Sequence, residues 1–409
     1  MSIKLKGSSD GSVSLDAPAD TSPSGSDVTF VLPTADGTGN QVLSTDGSGN
    51  LSFADNVSSG RNLVGNGAMI VAQRGTANVT SVGYQTVDRF FTSASGGTFS
   101  QERIDLTSSD SPFPLGFRHA YRVKNSAVAS ATNHYRQFET RIEAQDVVKS
   151  GWNYNSTSSY ITVSFWARAS VAGTYTFDFR TQDSPAQAYP TSITLAANTW
   201  KKFELTYPGD SALVIADDNG AGLRLVWGMY FGSNFTDSNA VMDAWHAFSS
   251  LNIAPDDTAG WGTTLNATFD VTGVQCEVGS VATKFEHRSF GDELLRCQRY
   301  LYRVNRDPNS ADEMAIGTGG INNTSTAQCY VPLPVTMRAN SQAITEAHLS
   351  VISGPNVTDV SLNSSLDEGN NCVGVNLGAD SGTPFTVGRA AYLRVKNSSG
   401  AFFQVSSEL

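Results

Sequence analysis

The sequence predicts an all-β protein, and its composition is the first reason. Charged residues make up 16% of the 409 positions, against about 25% in an average soluble protein. Glycine alone occupies 37 positions. Glycine and short polar side chains favour turns, and the polar ones compete with the backbone for its hydrogen bonds, which disfavours helices. The second reason is alternation, since Ile161, Val163, Phe165 and Ala167 recur at every second position, as on one face of a strand.

The body of the chain, residues 62–287, repeats this pattern. Tyr175, Phe177 and Phe179 alternate with polar residues, and so do Phe203 and Tyr207. All six tryptophans fall within this stretch, which predicts a substantial core. Short strands separated by glycine and asparagine turns are typical of a β-sandwich of jelly-roll type.

Residues 1–60 form an extended N-terminal arm that differs from the body. The arm has two lysines and seven aspartates, a charge of 2 − 7 = −5, and only two aromatic residues. Short strands are predicted at 28–33, 41–44 and 51–53, with turns at 36–37 and 46–50. Because such a segment buries too little apolar area to fold alone, we expect it to oligomerise or attach to another protein. The predicted contact residues are Phe30, Leu32, Leu43, Leu51 and Phe53.

One short helix is predicted over residues 288–302, a linker between the body and the C-terminal region. Ser289 and Asp292 have the spacing of a helix N-cap, and Leu294, Leu295 and Leu301 recur at helical intervals. Residues 303–409 return to short apolar strands and predict a small C-terminal β-domain.

Charge and cysteine spacing exclude several functions. The net charge of −11 without clustered lysines or arginines argues against nucleic acid as a partner. No run of about 18 apolar residues and no signal-peptide pattern occurs. We therefore expect that the protein is synthesised in a bacterial host cytoplasm and does not insert into a membrane. The four cysteines have no CxxC spacing and are interpreted as buried thiols. We predict no metal and no cofactor.

Three stretches resemble phage tail-fibre and related virion proteins. The first covers residues 32–37 and 41–53, with Phe53 where tryptophan is usual. The second covers 62–69, 72–75 and 87–90, and resembles the opening of a jelly-roll domain similar to carbohydrate-binding modules. The third and most specific covers 273–288 and 293–300, including Phe285-Glu286-His287-Arg288, with Cys276 and Lys284 where leucine and proline are usual. The resemblance implies a location in the virion tail, a homotrimer, contact with other tail proteins through residues 1–60, and attachment to host envelope polysaccharide or lipopolysaccharide.

Aromatic residues in loops are the candidate glycan site, because sugars bind with their C–H faces on exposed rings. Gly-, Asn- and Asp-rich connections hold the four candidates Trp152, Tyr154, Trp245 and Trp261. Trp200 and Trp227 lie in apolar strands and are assigned to packing. Trp166 falls on the opposite face from Phe165, so its burial depends on the second sheet and stays open.

Other polar groups are given structural interpretations. His287 is predicted to make a hydrogen bond where the body meets the helix. The pairs Asp217-Asp218 and Asp256-Asp257 could hold calcium, but neither fits an EF-hand loop, and solvated turns are the preferred interpretation.

The resulting hypothesis is a trimeric tail-fibre adhesin that binds and does not catalyse. The alternative is an architectural tail or capsid decoration protein without a receptor. A polysaccharide depolymerase is a third hypothesis, because paired carboxylates can meet in space without leaving a motif.

Overall fold

The computed structural model describes residues 3–6, 12–15, 29–35, 41–45, 48–55, 60–251, 253–255, 259–306, 313–340, 342–380 and 385–409. The chain divides into two compact units, residues 1–59 and 60–409. The predicted all-β fold class is confirmed.

The first unit contains two antiparallel hairpins, β1 (Ile3–Lys6) with β2 (Ser12–Leu15) and β3 (Gln41–Thr45) with β4 (Leu51–Asp55). Of the strand predicted at 28–33, the structure describes residues 29–33, which form a single parallel bridge, between Val31 and Asn50. The Val31 amide donates to the Gly49 carbonyl at 2.8 Å. A side chain at Gly49, whose φ is +92°, would lie 2.5 Å from the Thr29 carbonyl, so the turn requires glycine. The turn predicted at 36–37, and the first two residues of the turn predicted at 46–50, lie outside the described residues.

The second unit begins with a sandwich of two antiparallel sheets. The six-stranded sheet has the order β14-β11-β10-β13-β8-β5, and the five-stranded sheet β12-β9-β15-β7-β6. The strands are β5 (Phe90–Ser95), β6 (Phe99–Asp105), β7 (His119–Asn125), β8 (Tyr135–Glu143), β9 (Tyr160–Ala169), β10 (Gly173–Thr181), β11 (Gln187–Leu195), β12 (Lys201–Pro208), β13 (Ala221–Phe231), β14 (His246–Ala247) and β15 (Thr268–Val278).

The core between the two sheets is built around Trp227. Its ring stacks on Phe138 at 5.0 Å and meets the edges of Phe165 and Phe177 at 5.3 and 5.0 Å. These rings come from both sheets, so they join the two layers. The assignment of Trp200 and Trp227 to packing is confirmed, since both are buried.

Two α-helices flank the sandwich, α1 (Ala144–Val148) and α2 (Phe290–Gln298). Ser289 caps α2, with its hydroxyl oxygen accepting from the Asp292 amide at 3.1 Å, as predicted. The helix ends before residue 302 because Leu301 is fully buried and starts the next strand. Among the described residues, no helix has the length and apolar character needed to span a membrane.

The C-terminal region has its own apolar core. Three strands pair in the order β16-β24-β19. Six more form a sheet that closes on itself, in the order β17-β18-β22-β21-β20-β23, with β23 paired to β17. The strands are β16 (Leu301–Asn305), β17 (Met314–Ile321), β18 (Thr326–Pro332), β19 (Ala343–Ala347), β20 (Leu349–Ser353), β21 (Asn356–Glu368), β22 (Cys372–Ala379), β23 (Ala390–Val395) and β24 (Phe402–Ser406).

Buried ion pairs join the sandwich to the C-terminal region. Glu143 accepts from Arg299 at 2.6 Å and from the Tyr300 hydroxyl at 2.5 Å. Glu408 pairs with Arg74 at 3.1 Å and with Arg89 at 2.6 Å. Removing one partner would leave a buried charge without compensation, which is costly. These contacts make the junction a packed interface rather than a free linker.

Candidate functional site

Two of the four loop aromatics predicted for the glycan site are buried in the structure. Trp261 is fully buried, and Trp152 is only 3% exposed. Both belong to the sandwich core, because the polar connections that carry them fold back over the ends of the sheets. Neither presents a ring face to solvent in this structure.

The two remaining predicted aromatics are half-buried against the same core. Trp245 packs beside Phe179 and Tyr189, and its indole N–H donates to the Pro208 carbonyl at 2.7 Å. Tyr154 packs beside Trp152, with 6.1 Å between ring centroids. Trp152 in turn lies 6.3 Å from Phe179, so Trp152, Tyr154 and Trp245 belong to one aromatic cluster around that core ring.

An aromatic pocket lies instead on the outer face of the five-stranded sheet, around Trp166. Its cavity is about 350 Å³, within the range of small-molecule sites. The apolar lining is formed by Leu115, Phe117, Trp166 and Phe285. The polar lining is formed by Ser164, Lys202, Thr283, Lys284 and His287. We call this cavity the Trp166 pocket.

Strand alternation explains why Trp166 lies here. Phe165 and Ala167 point into the sandwich and are fully buried, so the ring between them points outward. In the sheet, Trp166 lies opposite Lys202 of β12 and opposite Thr272 of β15. The tryptophan left open by the sequence is therefore the one that the fold places at an outer cavity.

A bulge in β15 makes room for the rest of the lining. The register between β15 and β9 shifts between Thr272 and Gln275. Gly273, within this bulge, has a φ of +66°, and a side chain there would lie 2.7 Å from the Phe117 ring. Glycine at this position allows Phe117 to reach the sheet and form part of the pocket.

The segment 283–287 closes one side of the pocket. The rings of Phe285, Phe117 and His287 lie 4.9 to 5.1 Å apart. His287 Nε2 donates to the Leu115 carbonyl at 2.9 Å, which is the predicted structural hydrogen bond. Thr283 is held by Glu277, whose carboxylate accepts from the Thr283 amide at 2.8 Å. Phe117 and Phe285 were not predicted, although Phe285 stands in the stretch that carries the most specific resemblance.

A network of charged groups continues from the pocket along the same face. Asp270 accepts from Arg122 at 2.7 Å and from Arg168 at 2.9 Å. Asp110 accepts from Arg168 at 2.7 Å and from the Trp200 indole N–H at 2.8 Å. Burial alone would raise the pKa of Asp110, but hydrogen bonds from Thr107 and Trp200, with the charge of Arg168, hold that pKa below its ordinary value. Asp110 is therefore ionised, and both carboxylates are already paired with arginines.

The first calcium candidate has the structure of a solvated turn. Asp217 is exposed and pairs with Lys149 at 2.8 Å, and the Asp218 carboxylate accepts from the Gly220 amide at 2.8 Å. The second candidate, Asp256-Asp257, lies outside the described residues. Over the part of the chain that the structure describes, no group of three or more metal-ligating side chains comes together.

The first unit exposes most of its predicted contact residues. Leu32 and Phe30 are 71% and 59% exposed, and Leu43 and Phe53 are exposed as well. Leu51 is half-buried. Four of the five predicted contact residues thus face solvent.

Comparison with known proteins identifies no family. No protein-family profile and no curated sequence matches the chain. Among solved structures, it is similar to the enzymatically active domain of tailspike protein 4 of bacteriophage CBA120, at 11% identity and a TM-score of 0.30. That match covers 55% of this chain and only 22% of the tailspike domain.

Two further similarities cover most of the other protein. A family 11 carbohydrate-binding module from Clostridium thermocellum, in complex with a mixed-linked tetrasaccharide, matches at 10% identity and a TM-score of 0.27, over 51% of this chain and 99% of the module. The Stig cyclase Fisc from Fischerella sp. TAU matches at 7% identity and a TM-score of 0.31, over 53% of this chain and 96% of the cyclase. At these scores the similarities carry no argument about function.

Proposed function

We propose that this chain is a structural protein of a bacteriophage virion, a trimeric tail-fibre adhesin that attaches to a glycan of the host cell surface. The observation that carries the proposal is the Trp166 pocket. Five of its lining residues, Gly273, Thr283, Lys284, Phe285 and His287, come from the stretch 273–288, which most resembles tail-fibre proteins.

The pocket has the chemistry that a sugar ring needs. Trp166 and Phe285 offer aromatic surface for the C–H face of a pyranose, and both remain partly exposed. Thr283, Lys202 and His287 supply polar atoms at the rim that can hydrogen-bond hydroxyl groups. A mainly apolar cavity with a few polar groups is the usual form of a small-ligand site.

Attachment to the particle is assigned to the first unit. Phe30, Leu32, Leu43 and Phe53 are exposed in the single chain, and a trimer or another tail protein would cover them. Such burial would offset the conformational entropy lost on ordering the arm. In this proposal residues 1–60 contact the virion while the sandwich faces outward.

Binding of the labelled full-length protein to cells of the bacterial host tests the function. We expect Trp166→Ala to weaken binding about tenfold or more, as for a central aromatic contact. Tyr392→Ala is the matched control, because Tyr392 is an exposed aromatic residue of β23, outside the pocket. If the unmodified protein binds no better than albumin, the architectural alternative replaces the proposal.

Turnover is tested separately. Incubation of the protein with purified host envelope glycan should release no new reducing ends and no unsaturated products. Their appearance would favour the depolymerase hypothesis.

A further inference from the structure

The charge of the Trp166 pocket differs from the charge of the whole chain. The chain carries a net charge of −11, yet none of the residues that line the pocket is a carboxylate. The lining includes two lysines, Lys202 and Lys284, and one histidine, His287. In this acidic protein, the only charged residues that line the pocket are therefore basic.

The carboxylates around the pocket are already bound to other groups. Glu277 accepts from Thr283 and pairs with Arg61 at 3.3 Å. Glu286 accepts from the Asn62 amide at 2.8 Å and pairs with Arg288 at 3.4 Å. Asp270 is shared by Arg122 and Arg168. These carboxylates do not neutralise the two pocket lysines.

The two lysines are available to an anion. Among the described residues, the Lys284 ammonium has no carboxylate within ion-pair distance. Lys202 pairs with Glu204 at 2.6 Å, but both side chains are more than a third exposed. An exposed pair of this kind contributes little in water, so a ligand can compete for the lysine.

We infer that the Trp166 pocket selects an acidic sugar, a glycan unit that carries a carboxylate or phosphate group. The inference rests on the proposed function and specifies its ligand class. The sugar ring lies against Trp166, and its anionic group pairs with Lys202 and Lys284. Charge-assisted hydrogen bonds of this type are stronger than those between neutral groups, which supplies the selectivity.

An oligosaccharide array tests the inference with the full-length protein. The array carries uronic acids, sialic acids, sugar phosphates and neutral glycans, including carboxyl-reduced counterparts of the acidic ones. We expect the bound glycans to be acidic. Comparison of the uronic and sialic acids with the sugar phosphates shows whether the pocket prefers a carboxylate or a phosphate. The double variant Lys202→Met/Lys284→Met should bind them at least about tenfold more weakly. Binding should also weaken as the salt concentration rises from about 0.05 to about 0.5 M.

Two further variants make the test specific. Lys149→Met/Lys396→Met removes the same charge at two residues that do not line the pocket and that pair with Asp217 and Asp359, and should bind normally. Glu204→Gln releases Lys202 from its partner and should strengthen binding of acidic glycans only.

The outcomes separate the two proposals. Neutral glycans bound in a Trp166-dependent manner, with no effect of the lysine variants, would overturn the acidic-sugar inference and leave the proposed function in place. If no glycan on the array binds in a Trp166-dependent manner, both the proposed function and the acidic-sugar inference are overturned. Equal losses in the pocket variant and the distant control would reduce the effect to net charge and refute the assigned site.

Discussion

Trp166 and Phe165 are neighbours in β9, yet their rings meet different surroundings. Phe165 is fully buried between the sheets, while Trp166 is half-buried beneath the outer pocket. Trp261 lies in a polar connection and is nevertheless fully buried. A position in a loop therefore does not guarantee that an aromatic ring is exposed, because loops that cap a sandwich contribute side chains to its core.

Substitution of two tryptophans should separate stability from binding. We expect Trp261→Ala to lower the free energy of unfolding by about 3–5 kcal/mol, since it empties a large volume of the core. Trp166→Ala should cost less stability, because its ring is only half-buried, but should weaken glycan binding about tenfold or more. Urea denaturation of both variants measures the two losses in the free energy of unfolding. Equal destabilisation by the two substitutions would contradict the assigned roles.

Asp88 should make stability depend on pH. Burial raises its pKa from 3.8 to about 6, a hydrogen bond from Gln73 opposes the shift, Glu408 adds to it and Arg74 opposes it. Because the folded pKa exceeds the unfolded value, the folded state holds the proton more tightly between pH 4 and 6. Asp88 therefore makes the protein less stable as pH rises through this window, by on the order of 3 kcal/mol, with no further change above it.

The Asp88→Asn variant provides the measurement. Unfolding free energies of the variant and the unmodified protein should be compared from pH 4 to pH 7. The asparagine loses one acceptor for Gln73 at every pH, so the absolute values differ, but its profile should lack the decline between pH 4 and 6. Parallel profiles would show that Asp88 does not titrate in this range.

At the scale of elements, the bulge in β15 links strand pairing to the pocket. Gly273 permits the register shift and the approach of Phe117, so one residue serves the sheet and the cavity. The second and third stretches that resemble tail-fibre proteins, 62–69 and 273–300, also contact each other. Asn62 accepts from the Cys276 amide at 3.0 Å, and the Asn66 amide donates to Glu293 at 2.6 Å. These contacts fasten the first residues of the sandwich to its last strand and to α2.

Gly273→Ala should destabilise the sandwich by about 1–3 kcal/mol. The added methyl group would lie 2.7 Å from a buried ring, and the φ of +66° is unfavourable for alanine. Gly260→Ala is the matched control, because Gly260 has nearly the same φ, of +64°, and the carbon added there would meet only Thr263 Oγ1, at an ordinary contact distance of 3.8 Å. The difference between the two variants in thermal unfolding measures the steric part. Equal losses would leave only backbone strain and remove Phe117 from the explanation.

At the scale of the whole molecule, the two units differ in how far their apolar side chains are covered within the chain. Residues 60–409 form one compact unit in which the sandwich and the C-terminal region share buried ion pairs. The first unit has hairpins but leaves large apolar side chains exposed. Its contacts therefore belong, in our proposal, to other chains or to the virion.

Deletion of residues 1–59 should change the oligomeric state. We expect the full chain to be a trimer and residues 60–409 to be a monomer, because the exposed apolar residues of the arm would be lost. Native mass spectrometry and sedimentation provide the measurement. The double variant Leu32→Ser/Phe53→Ser in the full chain should weaken the trimer in the same direction. A monomeric full-length chain, or a trimer that survives the deletion, would contradict this role of the arm.

The sequence by itself determined the fold class, most of the strands and the capped helix. These features depend on local periodicity, such as that of residues 161–168, and on local capping, such as that of Ser289. It also identified the stretch 273–288, which became one wall of the pocket. It did not identify Phe117, which contacts Phe285 across more than 160 positions of the chain.

Only the tertiary structure decided which aromatic residues are accessible. Trp152 and Trp166 cannot be distinguished by residue type, because burial depends on what packs against each ring from distant parts of the chain. Alternation placed Trp166 outside the sandwich, but the cavity around it exists only because the β15 bulge, the loop around Phe117 and the segment 283–287 meet there. Sites assembled from separate segments leave no local pattern in a sequence, and this pocket is one of them.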